Sequence, residues 1–121
     1  MRKTVLAAVV AFAFPLAAHA DGHGHHGLSG EEISALVSGN TVEGSMMESG
    51  PYAEFYSADG MIKGAGYSGE WMIEGDTMCF SYDGESAGCW NVVMDDDMLN
   101  WVMDGEVAGD GMVKPGNTND F

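Results

Sequence analysis

After residue 20 this sequence holds no arginine and only two lysines, Lys63 and Lys114, against 19 aspartates and glutamates, a formal net charge of −17 for that stretch. Arginine supplies the planar fork that clamps phosphate and carboxylate groups in bidentate fashion. Its absence argues against dinucleotides and phosphorylated substrates. The negative charge repels nucleic acid and anionic membrane surfaces and favours solubility. Histidine is missing as well, since none follows His26. A serine or cysteine nucleophile therefore has no imidazole base in the folded part. Cysteine is limited to Cys79 and Cys89, with no CxxC redox motif. The apolar run Val5–Leu16, which contains Pro15, falls short of the roughly 20 residues that a membrane-spanning helix needs.

The first residues nonetheless have a clear pattern. Met1-Arg2-Lys3 is positive, Val5–Leu16 is apolar, and Ala18-His19-Ala20 precedes Asp21. This is the layout of a secretory signal peptide with a small-x-small cleavage site. The expected division is a signal peptide at 1–20, a flexible His- and Gly-rich tail at 21–27, and one β-domain at 28–121. No cysteine follows the cleavage site, which argues against a lipoprotein. Export to the periplasm or beyond also suits a disulfide between the two cysteines.

The tail reads Asp21-Gly22-His23-Gly24-His25-His26-Gly27. It has no apolar residue with which to pack. Cleavage after Ala20 would place His23 third in the mature chain. That resembles the amino-terminal copper- and nickel-binding motif. The amine of Asp21, the deprotonated amides of Gly22 and His23 and a ring nitrogen of His23 close three fused chelate rings. Four nitrogens in a plane suit Cu(II) or Ni(II). His25 and His26 would add a second, weaker site.

A short helix should follow. Ser29 and Glu32 have capping-box spacing, and Leu28 and Ile33 occupy the staple positions. Ile33, Leu36 and Val37 form an apolar stripe, and Gly39 is the expected stop. Too short to hold alone, the helix must dock on something. The remainder alternates short β-rich runs with turns. Thr41–Met46, Tyr52–Ser57, Met61–Lys63, Trp71–Ile73, Thr77–Tyr82, Cys89–Met94, Met98–Met103 and Glu106–Val113 read as strands. Asp59-Gly60, Asp83-Gly84 and Asp104-Gly105 between apolar runs are strong hairpin signals. The fold class is mainly β: an antiparallel up-and-down meander or barrel of seven or eight strands with one short N-terminal helix. Gly44, Gly64, Gly66, Gly69 and Gly109 fall in or beside strands, where glycine permits the coiling that a small barrel needs.

The cysteines test the register. With Gly84 as the hairpin centre, Cys79 faces Cys89 directly, within reach of a disulfide. Met78 then opposes Trp90 on the other face, and Phe80 and Val92 join them as core. A thiolate metal site would need further Cys or His nearby, and none is present. Met72, Met78, Met94, Met98 and Met103 occupy expected core positions, where methionine fills irregular gaps. Met46-Met47 reads as exposed. Asp95-Asp96-Asp97, with Asp104, Glu106 and Asp110, lacks EF-hand spacing and reads as plain acidic turns.

Tyr67-Ser68-Gly69-Glu70-Trp71 through Glu74-Gly75-Asp76 resembles the aromatic-x-Gly-x-Trp hairpin of the MORN repeat. A longer pattern runs Asn40-Thr41, Phe55, Asp59-Gly60, Gly69-x-Trp71-x-Ile73-x-Gly75-Asp76-x-x-Cys79 and Cys89-Trp90. It is similar in order to a family of small exported bacterial domains of unknown function. The resemblance implies a periplasmic β-domain and brings no activity with it.

These observations lead to a non-catalytic periplasmic or secreted binding protein, with no required cofactor and no membrane insertion after cleavage. Its expected ligand is Cu(II) or Ni(II), held by Asp21, Gly22, His23, His25 and His26. The alternatives are an acidic binder or inhibitor of a cationic periplasmic protein, and a structural module of the envelope.

Overall fold

The computed structural model describes residues 25–121. In chain order these form β1 (His25–Gly27), α1 (Gly30–Val37), β2 (Asn40–Met46), β3 (Gly50–Tyr56) and β4 (Met61–Gly64). They continue as β5 (Tyr67–Glu74), β6 (Thr77–Tyr82), β7 (Glu85–Asp95), β8 (Met98–Met103) and β9 (Glu106–Pro115). Each strand from β2 to β9 pairs antiparallel with the next, and β9 pairs back onto β2. The result is a closed eight-stranded up-and-down barrel. Closure removes the exposed edges that an open sheet would present.

The closing pair runs from Asn40↔Pro115 to Met46↔Gly109. Here the strands come very close. A Cβ on Gly44 would fall on the Asp110 carbonyl oxygen, so only glycine fits. Inward-facing Val42, Tyr56, Ile62, Met78, Val92 and Leu99 fill the middle of the barrel and are fully or almost fully buried. Alternation along each strand puts their neighbours outside.

Local signals hold α1 in place. Ser29 and Glu32 form the capping box, with Ser29 N donating to Glu32 Oε1 at 2.8 Å. Ile33 and Val37 are completely buried against the barrel core. Gly30 N donates to Asp76 Oδ1 at 2.9 Å. A Cβ at Gly30 would strike the Gly75 carbonyl and the Ile73 side chain. The helix therefore seats its first turn on the β5–β6 hairpin and closes that end of the barrel. Gly39, with φ of +77°, ends it, and Asn40 Nδ2 donates to the free Leu36 carbonyl at 2.8 Å.

The hairpins follow the turn chemistry. Asp83-Gly84 and Asp104-Gly105 have φ values of 56° and 81°, and 54° and 80°, the left-handed pair that a two-residue type I′ turn requires. Cys79 does pair with Cys89, and the two form a disulfide. The route to that register differs from the expected one. Tyr82 pairs with Glu85, so the turn is centred between Asp83 and Gly84. Phe80 pairs with Gly88, and one extra residue on β7 forms a bulge that restores the Cys79–Cys89 pairing.

Two expectations are corrected. The flexible tail was expected to extend to Gly27, but His25–Gly27 form a strand on β7, with His25↔Asp95 and Gly27↔Val93. The β6–β7 pairing extends along β7 only to Trp90, which leaves backbone groups beyond it for β1 to bond. Such pairing uses main-chain N–H and C=O groups and needs no apolar side chain. Met72 and Met103 were expected in the core, yet they are 54% and 36% exposed. Met72 lies on the outer face between the inward-pointing Trp71 and Ile73. Met103 sits at a strand end.

Candidate functional site: the open mouth of the barrel

The end opposite α1 is open. The β2–β3 loop, the first residue of β5, the last of β6 and the β8–β9 turn surround a cavity of about 830 Å³. Its floor is built from β3. Tyr52, Glu54 and Tyr56 alternate along that strand, so all three point inward. Glu54 is only 7% exposed. The hydroxyl of Tyr56 donates to its Oε1 at 2.6 Å. Tyr67 and Tyr82 donate to its Oε2 at 2.6 and 2.9 Å. An ionised carboxylate only accepts, and it offers roughly four lone-pair sites; three phenols occupy three of them. Both lysines lie away from the cavity lining; Lys114 pairs with Glu43 at 3.0 Å.

A second chain of hydrogen bonds braces the wall. Trp101 Nε1 donates to the Tyr52 hydroxyl at 2.8 Å, and that hydroxyl donates to the Asp110 carbonyl at 2.8 Å. Phe80 stands edge-on to both Trp90 and Trp101, with ring centroids 5.4 Å apart in each pair. Edge-to-face packing of this kind adds to the stabilisation from burial. Among the described residues, Trp90 Nε1 is the one buried side-chain N or O without a hydrogen-bond partner.

Every tyrosine of the chain belongs to this site, and every one has its hydroxyl held well above the usual value of 10.0. Burial is the largest cause in each case. For Tyr56 and Tyr82 the negative charge of Glu54 comes next, and for Tyr67 the hydrogen bond to Glu54 does. The phenols are thus locked in their neutral, donating form.

The rim is acidic and apolar together. Glu48, Asp104 and Glu106 line it. Of the six exposed large hydrophobic side chains among the described residues, Met47, Tyr67, Met103 and Val107 also line it. Clustered exposed apolar groups mark binding sites far more often than scattered ones do.

Asp21, Gly22 and His23 lie outside the described residues. His25 and His26 lie in β1, which pairs with the last residues of β7 at the α1 end, away from the mouth. Glu74 brings a carboxylate oxygen to within 4.8 Å of the Cys79 and Cys89 sulfurs. Those sulfurs are bonded to each other and offer no thiolate to a metal. The acidic residues of the sequence do not gather either: Asp95–Asp97 lie at the closed end, whereas Asp104 and Glu106 lie at the mouth.

No protein-family model, curated protein or solved structure matches this chain. Its function must therefore be argued from the site. The mouth leaves little trace in the sequence. One signal was there: Tyr52-x-Glu54-x-Tyr56 puts a carboxylate between two aromatics on one face of a strand.

Proposed function

We propose that this chain is a non-catalytic, exported binding protein whose ligand enters the open mouth of the barrel. One observation carries the reading: an aromatic-walled cavity of about 830 Å³ with a single hydrogen-bonded carboxylate at its floor. Ligand pockets typically measure about 300–1,000 Å³, are mostly apolar and hold a few placed polar groups. Small barrels characteristically carry such sites in their mouths. The test uses Nile red, a neutral apolar dye that brightens in a dry pocket. The protein should enhance its fluorescence saturably. Ala87→Trp, which fills the mouth from β7, should remove the enhancement. Dye enhancement equal in Ala87→Trp, or failure of both the neutral dye and an aryl ammonium cation to bind, would overturn the reading.

A second reading, capture of Cu(II) or Ni(II) by Asp21, Gly22 and His23, is supported by the placement of His at position three after the expected cleavage site. The strand that follows, β1, pairs with the last residues of β7 at the closed end.

A further inference from the structure

The aromatic lining and the charges around it select among ligands. Resting on the mouth reading above, we propose that the ligand is a small organic cation, a quaternary or protonated amine carried on an apolar body. Every charged residue lining the cavity is acidic: Glu54 at the floor and Glu48, Asp104 and Glu106 at the rim. An anion would meet all four. A neutral apolar ligand would meet a different cost. It would expel water from above Glu54 and seal a carboxylate that has hydrogen bonds but no counter-charge. Burying a charge without a counter-charge is strongly unfavourable. A cation supplies the missing charge.

The walls suit the same guest. Tyr67, Tyr82, Trp90 and Trp101 are electron-rich rings, and their faces attract a cation within about 6 Å. The three phenols around Glu54 have spent their hydrogens on it, so toward the cavity they offer oxygen lone pairs and ring faces. Tyr67 and Tyr82 are fixed relative to each other at 6.0 Å between centroids, which pre-organises the site. Met47, Met103 and Val107 at the rim would cover the apolar body. The surplus of carboxylates over the chain adds a long-range attraction that raises the encounter rate and weakens with salt.

The test compares benzyltrimethylammonium with neopentylbenzene, its uncharged carbon isostere, and with phenylacetate, by tryptophan fluorescence and calorimetry on the full mature chain. The cation should bind at least about tenfold more tightly than the isostere, a difference of about 1.4 kcal/mol, and phenylacetate should not bind. Affinity for the cation should fall with added salt. Glu54→Gln should lose tenfold or more of that affinity while keeping the β spectrum. If Glu54→Gln fails to fold, the isostere pair on the unaltered protein still decides the matter. Equal binding of cation and isostere, or full affinity in a folded Glu54→Gln, overturns the proposal. Failure of the cation where Nile red still enters the mouth rejects the ligand class alone. Failure of both probes rejects the mouth as a binding site.

Discussion

Glu54 and Tyr56 stand two residues apart on one strand, and the Tyr56 hydroxyl donates to Glu54 Oε1 across 2.6 Å in the buried floor of the barrel. Tyr67 and Tyr82 complete the arrangement from two other strands. All the hydroxyls must stay protonated to donate, and this sets how the protein responds to alkali.

The pH prediction follows from sign. The tyrosines ionise at about 10.0 when unfolded and higher when folded. Their contribution to stability is complete below pH 10 and is lost progressively as pH rises above it, toward the folded values. The native protein should show no tyrosinate absorbance as pH passes 10. The signal should then appear together with loss of the β spectrum, in one step. Independent titration of one or more tyrosines near pH 10 in folded protein would contradict the network.

The seat of α1 predicts a contrast between adjacent residues. Ser29→Ala removes a cap and should lower stability by about 1 kcal/mol. Gly30→Ala places a methyl group against the Gly75 carbonyl and should cost about 1–3 kcal/mol, the range for overpacking. Helix propensity alone predicts the reverse, because alanine favours a helix over glycine. Urea midpoints of the two variants separate the explanations.

The Cys79–Cys89 disulfide links neighbouring strands across a separation of 10 residues. Chain-entropy arguments give about 2–3 kcal/mol for so short a loop. Replacing both cysteines with serine should lower unfolding stability by about that much, read from denaturant midpoints, while the β spectrum persists at low temperature. An unchanged midpoint would mean that the link does not form in solution.

The amino-terminal metal reading is checked by mass and colour. Material recovered from the periplasm should begin at Asp21 and take up one Cu(II), with the visible band of a planar four-nitrogen complex. Affinity should fall as pH drops, since protons leave the amine and two amides on binding. His23→Ala should abolish the band, and His25→Ala with His26→Ala should largely spare it. One residue added ahead of Asp21 should do the same damage as His23→Ala. Undiminished binding by the extended chain would refute the chelate.

What could be read in the sequence was local. The Ser29–Glu32 cap, the Asp-Gly hairpins and the alternation around Met78 and Phe80 each lie within a few neighbouring residues, and each is present. The Cys79–Cys89 pairing was reached through two offsetting details, a turn one half-residue from Gly84 and the β7 bulge. The site is different in kind. Glu54 takes two of its three partners from residues 13 and 28 positions away, and the barrel closes through pairs such as Val42↔Val113. No periodicity connects such positions. β1 was missed for another reason: an edge strand that bonds through its backbone leaves no hydrophobic pattern in its side chains.

The placement of β1 has a geometric consequence. His25 pairs with Asp95, ten positions along β7 from Glu85 beside the mouth, or about 30 Å of strand. The opposite terminus returns to the same end, where Thr41 Oγ1 donates to the Gly116 carbonyl at 2.7 Å. The described chain thus enters and leaves at the helix-plugged end. The barrel is a cup held by its base: a dye, a bead or a surface attached through the residues that follow β9 would leave the opening pointing away from the attachment and free to fill.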